Sequence, residues 1–352
     1  MTNQNVNNGK SVNRRQVLKT TAGLGALGMA LSMGISPALA AGDLVALVHT
    51  QAAGDNGPVD SMISELKKLA AEKGFTARTI YAKDPATYET IFRTLGEAGA
   101  AVVVSTFNEV AEPFKAVAPT FPDTNWIQLF GDAFEPPIAN VVSVSYDYYL
   151  GCYLSGVFAA HVSATGKLGF IGGISIPPIN ADYNAFKAGA MSVNKDIEVS
   201  VAFAGSFQDP AKGLEVASQM YAGGIDYIQT DSGATDGGII SAANEKSGRM
   251  VSSLDPAQYE LGPKSIISIV GLDFGASLAN EAAAALKAGW IGGQHRSTGL
   301  GTGVIDFILS PLFKEQGDAG INAKSANAAA EVAKVRAAIL DGSLKVPFST
   351  EL

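Results

Sequence analysis

The chain has 352 residues, 47% of them hydrophobic and 16% charged, with a formal net charge of −8. That composition excludes an intrinsically disordered chain, and the acidic balance disfavours nucleic acid or an anionic membrane surface as a partner. A single cysteine, Cys152, excludes an intrachain disulfide.

The first segment reads as an export leader. Asn13-Arg14-Arg15-Gln16-Val17-Leu18-Lys19 is a twin-arginine signature, followed by a weakly apolar run from Thr20 to Ser36 and the small-x-small site Ala38-Leu39-Ala40. Residues 1–40 are expected to be a twin-arginine signal peptide, cleaved after Ala40, which leaves 312 residues in the periplasm. Gly23, Gly25, Gly28 and Gly34 soften the apolar run, so an uncleaved anchor is the lesser alternative. Taking the leader's four cations (Lys10, Arg14, Arg15 and Lys19) from −8 leaves −12 for the mature chain. No cysteine lies at the cleavage site to carry a lipid, so no direct membrane anchor is expected.

Beyond the leader, strand-like and helix-like segments alternate. Leu44–His49 is an apolar run, and Asp60 is placed to cap a helix from Ser61 to Lys73 with Met62, Ile63, Leu66, Leu69 and Ala70 on one face. Thr76–Tyr81 is a second strand; Tyr88, Ile91, Phe92 and Leu95 stripe the next helix. Ala100–Ser105 and Trp126–Phe130 are further strands. The pattern then restarts: strands at Lys167–Gly172, Glu198–Phe203, Ile225–Thr230, Met250–Leu254 and Ser265–Val270 alternate with helices at Asn184–Val193, Lys212–Tyr221, Gly238–Lys246 and Phe274–Ala288. A last helix runs from Asn322 to Leu340. Short apolar strands spaced by amphipathic helices predict parallel sheets covered on both faces. Two such series predict two doubly wound α/β lobes with a cleft between them.

Motifs for chemistry are absent. His49, His161 and His295 lack metal-ligand spacing, and there is neither a nucleophile elbow nor a phosphate-binding loop. Gly299-Leu300-Gly301-Thr302-Gly303 lacks the strand–loop–helix setting of a dinucleotide fingerprint and reads as a turn. Cys152 sits in an apolar helix-like stretch and reads as a buried thiol. No catalytic residue, metal or cofactor is expected.

What recurs instead is polar and aromatic residues where strands end, the edge at which open α/β sheets bind ligands. Asp55 and Asn56 follow the first strand; Phe107, Asn108 and Glu112 follow the third. Asp182 and Tyr183 lie beyond Gly172-Gly173, Phe203 precedes Gly205-Ser206, Gly233 follows a strand, and Asp255 follows another. Carboxylates and amides can fix hydroxyl or ring-nitrogen groups, and aromatic rings can stack. Each has an ordinary structural alternative as well: Asp at a strand end commonly caps a turn, and Tyr183 or Phe203 can belong to the core.

Lys167–Asn194, KLGFIGGISIPPINADYNAFKAGAMSVN, resembles the signature of the basic membrane protein family of ABC-transporter solute-binding proteins. Gly205–Gly213 matches that family's next block, and Tyr221–Gly238 and Leu254–Gln258 follow in order. The resemblance implies a type I periplasmic-binding fold and delivery of a ligand, often a purine nucleoside, to a membrane permease. It also implies a ligand-binding set. Asp55 and Asn56 match an early Asp–Asn region, Glu112 the acid after the third strand, Gly233 a glycine loop, Asp255 a hydroxyl-binding Asp and Phe203 an aromatic wall. Three positions depart: an early Phe-Asn pair is replaced near Pro58 and Val59, a stacking Phe aligns with Asp182, and a late lysine aligns near Gly271.

The expected organisation is an N-terminal lobe of residues 41–147 and 272–310 and a C-terminal lobe of residues 148–271 and 311–352. The expected activity is binding of a small neutral ligand by lobe closure and its presentation to an ABC permease in the inner membrane. The alternatives are binding of a free base or a sugar, and sensory presentation of ligand to a receptor. An enzyme on the same fold is disfavoured because no nucleophile–base set is present.

Overall fold

In the computed structural model, which describes residues 44–54 and 57–352, the chain builds two six-stranded sheets. The leader lies outside the described residues, as do Asp55 and Asn56. Through the first sheet the order is β1 (Leu44–His49), α1 (Pro58–Lys73), β2 (Thr76–Tyr81), α2 (Tyr88–Glu97), β3 (Val102–Thr106), α3 (Ala111–Val117), β4 (Asn125–Leu129) and β5 (Val141–Tyr146). The second begins with α4 (Tyr148–Val162) and β6 (Lys167–Gly172), then α5 (Pro177–Val193), β7 (Glu198–Phe203), α6 (Pro210–Ala222), β8 (Tyr227–Asp231), α7 (Asp236–Asn244), β9 (Met250–Ser253) and β10 (Ile266–Leu272). The chain returns through α8 (Phe274–Ala285) to β11 (Gln294–Thr298), then runs to β12 (Ile305–Leu309), α9 (Pro311–Gln316) and α10 (Ala319–Leu340).

The strand orders are β2-β1-β3-β4-β5-β11 and β7-β6-β8-β9-β10-β12, so both sheets follow the same path. Every pairing is parallel except β10 with β12. The doubly wound α/β architecture expected from the sequence is therefore present twice. Alternate residues of one strand enter different cores. Val45 and Leu47 join Val102, Val104, Met62 and Leu66 on one face, while Leu44, Ala46 and Val48 join Phe92, Phe114 and Trp126 on the other. The second sheet divides likewise, with Leu168 and Phe170 against Phe158 and Phe186, and Ile228 and Val251 against Ile239 and Ile240.

Several boundaries differ from the sequence reading for local reasons. Proline suits the first turn of a helix, where its missing N–H costs nothing. Pro58 accordingly starts α1 three residues before Ser61, and Pro177 starts α5 seven residues before Asn184. Asp60 lies inside the first turn of α1, where its Oδ1 accepts from the Gly54 N–H at 2.8 Å. Strands β5, β11 and β12 carry no strong apolar run that would announce them. One expectation is corrected: residues 305–309, assigned to the N-terminal lobe, pair antiparallel with β10 in the second sheet. The turn through Gly299–Gly303, with left-handed Gly301 and Gly303, carries the chain out of the first sheet after β11. Among the described residues no helix is long and apolar enough to cross a membrane.

Helix α4 is buried nearly all round, against α5 on one side and the second sheet on another. Two glycines permit the close approach: a methyl on Gly156 would fall on the Phe186 carbonyl oxygen, and one on Gly189 would fall on the Tyr153 carbonyl oxygen. Gly156→Ala is expected to destabilise the protein by about 1–3 kcal/mol through overpacking. Urea unfolding checks this; an unchanged midpoint would show that the two helices can separate freely.

Candidate functional site

Parallel strands carry all their C-terminal ends to one edge of a sheet, and the crevice opens where the strand order reverses. In the first sheet that point lies between β1 and β3, at His49 and Thr106; in the second it lies between β6 and β8, at Gly172 and Asp231. Three crossovers join the sheets: β5 to α4, β10 to α8, and β11 to β12. They are tied side by side. The Asp147 N–H donates to Thr298 O and the Asp273 N–H to Val304 O, both at 2.8 Å.

At the first reversal point, Phe107 ends β3 in a strained backbone. Its φ is 69°, and Phe130, ending β4, has φ 57°, both in the left-handed region that non-glycine residues avoid. One backbone and one side-chain bond hold the bend: the Phe107 N–H donates to Leu129 O at 2.8 Å, and the Gln128 side-chain Nε2 donates to Phe107 O at 3.0 Å. The bends bring the rings together. Phe130 lies 5.0 Å from Phe107, 4.4 Å from Tyr146 and 5.1 Å from Phe274, centroid to centroid. This cluster runs from the strand-end loops to the first and second crossovers. Phe130, Tyr146 and Phe274 escaped the sequence reading because each looks like an ordinary core residue there.

The polar residues at this edge divide in use. Asn108 braces two loops, its Nδ2 donating to Asp132 Oδ2 at 2.8 Å and its Oδ1 accepting from the Asp132 N–H at 3.1 Å. Glu112 is exposed in the first turn of α3. The acid tied to the loop after β1 is Glu109, whose Oε1 accepts from Thr50 Oγ1 at 2.6 Å. Ser105 Oγ and Thr106 Oγ1, the last hydroxyls of β3, are buried with no hydrogen-bond partner among the described residues.

At the second reversal point, the longer α5 moves Asp182 and Tyr183 from a loop into the helix. Tyr183 is a buried ring packed edge-on against Phe170 at 5.8 Å, with Lys187 Nζ 5.9 Å from its centroid. Phe203, half-buried, lies against Gly172. Phe207, which the sequence reading passed over, packs its ring on Gly173, where any side chain would collide with it. Gly233 adopts φ 61°, and its α-carbon side faces the Phe207 backbone. Asp255 caps the short 3₁₀ helix Pro256–Leu261, its Oδ1 accepting from the Ala257 N–H at 2.8 Å. The turn role weighed for it is thus present in the structure.

Three buried carboxyls lie beneath this edge. Asp182 is 5% exposed and Asp231 8%, while Asp236 is fully buried. Burial, and then the neighbouring Asp231, push Asp182 well above the ordinary carboxylate range; burial pushes Asp231 up as well. Asp236 is pushed up to about 7 by burial, against hydrogen bonds from Ser232 and Thr230 that favour its charge. Thr230 Oγ1 donates to Asp236 Oδ2 at 2.8 Å and the Ser232 N–H to Oδ1 at 3.2 Å. A carboxyl whose folded value exceeds its unfolded one, about 4, binds more protons when folded. Its contribution is largest below about pH 4 and is lost as pH rises towards 7. Stability is therefore expected to fall between pH 5 and pH 7, and Asp236→Asn to fall less steeply. Thermal unfolding across that range checks this; parallel profiles for the two proteins would contradict it.

An open hollow of about 470 Å³ lies elsewhere, among Asn244, Lys264, Ser265 and Asp318 at the opposite end of the second sheet. Among the described residues no group of three or more His, Cys, Asp or Glu side chains is arranged to hold a metal.

Comparison with known proteins agrees with this geometry. The family model described as Bmp, ABC transporter substrate-binding protein PnrA-like, matches residues 43–338. Basic membrane protein A1 of Borrelia garinii subsp. bavariensis is 39% identical over 179 residues, covering 50% of this chain and 53% of that protein. The chain thus spans about half the length of the first curated relatives it matches. The ABC transporter nucleoside-binding protein BmpA of Lactococcus lactis subsp. cremoris is 28% identical over 328 residues, covering 87% of this chain and 89% of that one. A solute-binding protein of an ABC transporter system from Aeropyrum pernix K1 superposes with a TM-score of 0.75 at 19% identity, over 86% of this chain and 93% of its own. That likeness establishes the type I periplasmic-binding fold.

Proposed function

Since the chain belongs to the Bmp family of ABC transporter substrate-binding proteins, we propose that it is the solute-binding component of an importer and that its ligand is a small neutral molecule, a purine nucleoside first. The observation that carries this reading is the doubling of one ligand-binding edge. Two sheets of the same strand order each present a reversal point with aromatic and polar residues, and three adjacent crossovers join them. Closure of two such lobes about a hinge would bury a ligand between the edges. A twin-arginine leader, as residues 1–40 read, would deliver the protein to the periplasm, and an inner-membrane permease is the partner the family implies.

The ligand class rests on three supports. The Lactococcus relative bears a nucleoside-binding name. Aromatic rings at both edges, Phe107 and Phe130 on one and Phe203 and Phe207 on the other, offer flat surface for a base. No Lys or Arg occurs in residues 50–57, 106–112, 173–183, 204–209, 231–237 or 255–263. Burying a phosphate or carboxylate without a cation is costly. Asp55, Asn56, Glu112 and Asp255 are the proposed acceptors for sugar hydroxyls, Asp255 in addition to its capping role.

Calorimetric titration of adenosine, guanosine, inosine and their 5′-monophosphates tests the reading, after mass spectrometry of ligand released from the purified protein. At least one nucleoside is expected to bind, and its monophosphate at least about tenfold more weakly. A charge-assisted hydrogen bond is worth about 1.5–3 kcal/mol, so Asp255→Ala should weaken binding roughly ten- to a hundredfold. Tight binding of a monophosphate with no response to any nucleoside would overturn the ligand class. Unchanged affinity in Asp255→Ala would leave that residue as a cap alone.

A further inference from the structure

The two carboxyls at the second reversal point have no structural task that accounts for them. Asp231 is the last residue of β8 and stands in register with Gly172, the last residue of β6. It therefore lies where the crevice of the second sheet opens. Its Oδ2 is buried and receives no hydrogen bond from any N–H or hydroxyl of the described residues. The neighbour within hydrogen-bonding reach is the carboxyl of Asp182, on the second turn of α5. Two carboxylates cannot bond one another; the contact forms only when one of them carries a proton. Among the described residues none of the ion pairs involves Asp182, Asp231 or Asp236. Among the described residues, those acting on the pair are not cations: Tyr148 and Cys152 face it from α4, and Asp236 from α7, where Thr230 and Ser232 hold its carboxyl.

We propose that Asp182 and Asp231 form the second-lobe subsite that reads a hydrogen-bonding edge of the ligand, one N–H donor beside one acceptor, as a lactam or an amino-substituted ring nitrogen presents it. The inference rests on the nucleoside reading and deepens it, because purine bases carry such edges. A carboxyl beside a carboxylate offers one O–H donor and several acceptor lone pairs, the complement of that edge. No proton needs to leave: the protonated oxygen donates to the ligand's acceptor, and the ionised one accepts from its N–H. Since either carboxyl can carry the proton, the pair can meet an edge of either polarity, C=O beside N–H or ring nitrogen beside NH₂. Burial disfavours two negative charges at this spacing, so the pair keeps its single proton near neutral pH. Binding should weaken as alkaline pH removes it.

The test is calorimetric titration of the mature protein, freed of ligand, with inosine, 1-methylinosine and hypoxanthine at pH 6, and with adenosine, whose base does not titrate in that range, at pH 6 and pH 9. 1-Methylinosine has the same rings and sugar but no N1–H. The native protein is expected to bind inosine at least about tenfold more tightly than 1-methylinosine, and to lose affinity for adenosine at pH 9. Asp231→Ala should bind the two nucleosides alike, at the weaker level. Asp182→Asn replaces the shared proton by a permanent N–H donor of the same shape. It should keep the preference for inosine over 1-methylinosine and lose the pH dependence of adenosine binding. A purely structural role would instead shift thermal unfolding without changing the preference between inosine and 1-methylinosine. Inosine binding with no discrimination against 1-methylinosine overturns the subsite and leaves the nucleoside reading standing. Binding of hypoxanthine but not inosine, abolished in Asp231→Ala, overturns the nucleoside reading and keeps the subsite. Binding of neither overturns both. If Asp231→Ala fails to fold, the comparison of the two nucleosides on the native protein and on Asp182→Asn decides.

Discussion

The direction of the strands is the constraint on which the rest depends. Parallel pairing demands a crossover between successive strands, in this protein mostly a helix lying on one face or the other, with β4–β5 joined by an irregular segment and β9–β10 by a short 3₁₀ helix. It also sends every strand's C-terminal end to the same edge. Loops at that edge need not cover a core and are free to carry rings, hydroxyls and carboxyls. Because both sheets reverse their order between the first and third strand of their series, each has one crevice in the same place. The antiparallel exception, β12 on β10, sits at an outer position of the second sheet and leaves the crevice untouched.

Costs gather at those crevices. Two phenylalanines accept left-handed backbone at the ends of adjacent strands. Among the described residues the hydroxyls of Ser105 and Thr106 are buried without partners, and three carboxyls are buried beneath the second edge. An unsatisfied buried polar group costs about 1–3 kcal/mol, so a fold selected for stability alone would remove them. Their concentration at the two edges is understood if a ligand supplies the missing partners. The aromatic contact from Phe107 through Phe130 to Tyr146 and Phe274 gives binding at the first edge a packed route to two of the three crossovers.

Much of this fold was legible because parallel strands buried on both faces leave continuous apolar runs. Leu44–His49 and Lys167–Gly172 have the bounds read from the sequence for that reason, and the half-exposed edge strands Thr76–Tyr81 and Glu198–Phe203 have theirs through β-branched and aromatic residues between turn signals. Strands β5, β11 and β12 lack that signal, since serines and charged residues interrupt them, and β12 was accordingly placed in the wrong lobe. The site was less legible. Strand-end position indicated which loops matter, yet the Pro177-Pro178 helix start turned Asp182 and Tyr183 from loop residues into helical ones. That change buried Tyr183 in the core beside Phe170 while setting Asp182 against Asp231. Such a pairing depends on side chains 49 positions apart meeting across a sheet edge, which no local pattern encodes. Phe207 could have been found from its place in the Gly205-Ser206-Phe207 block; Phe130 could not, because nothing in its neighbours announces a positive φ.

Small-angle X-ray scattering of the mature protein, first stripped of ligand and then saturated with the compound recovered from it, tests the hinged two-lobe account most directly. The account predicts a radius of gyration that falls on binding and stops falling at one ligand per chain. A scattering curve that stays the same while calorimetry reports full occupancy would contradict lobe closure and the action of the three crossovers as its hinge.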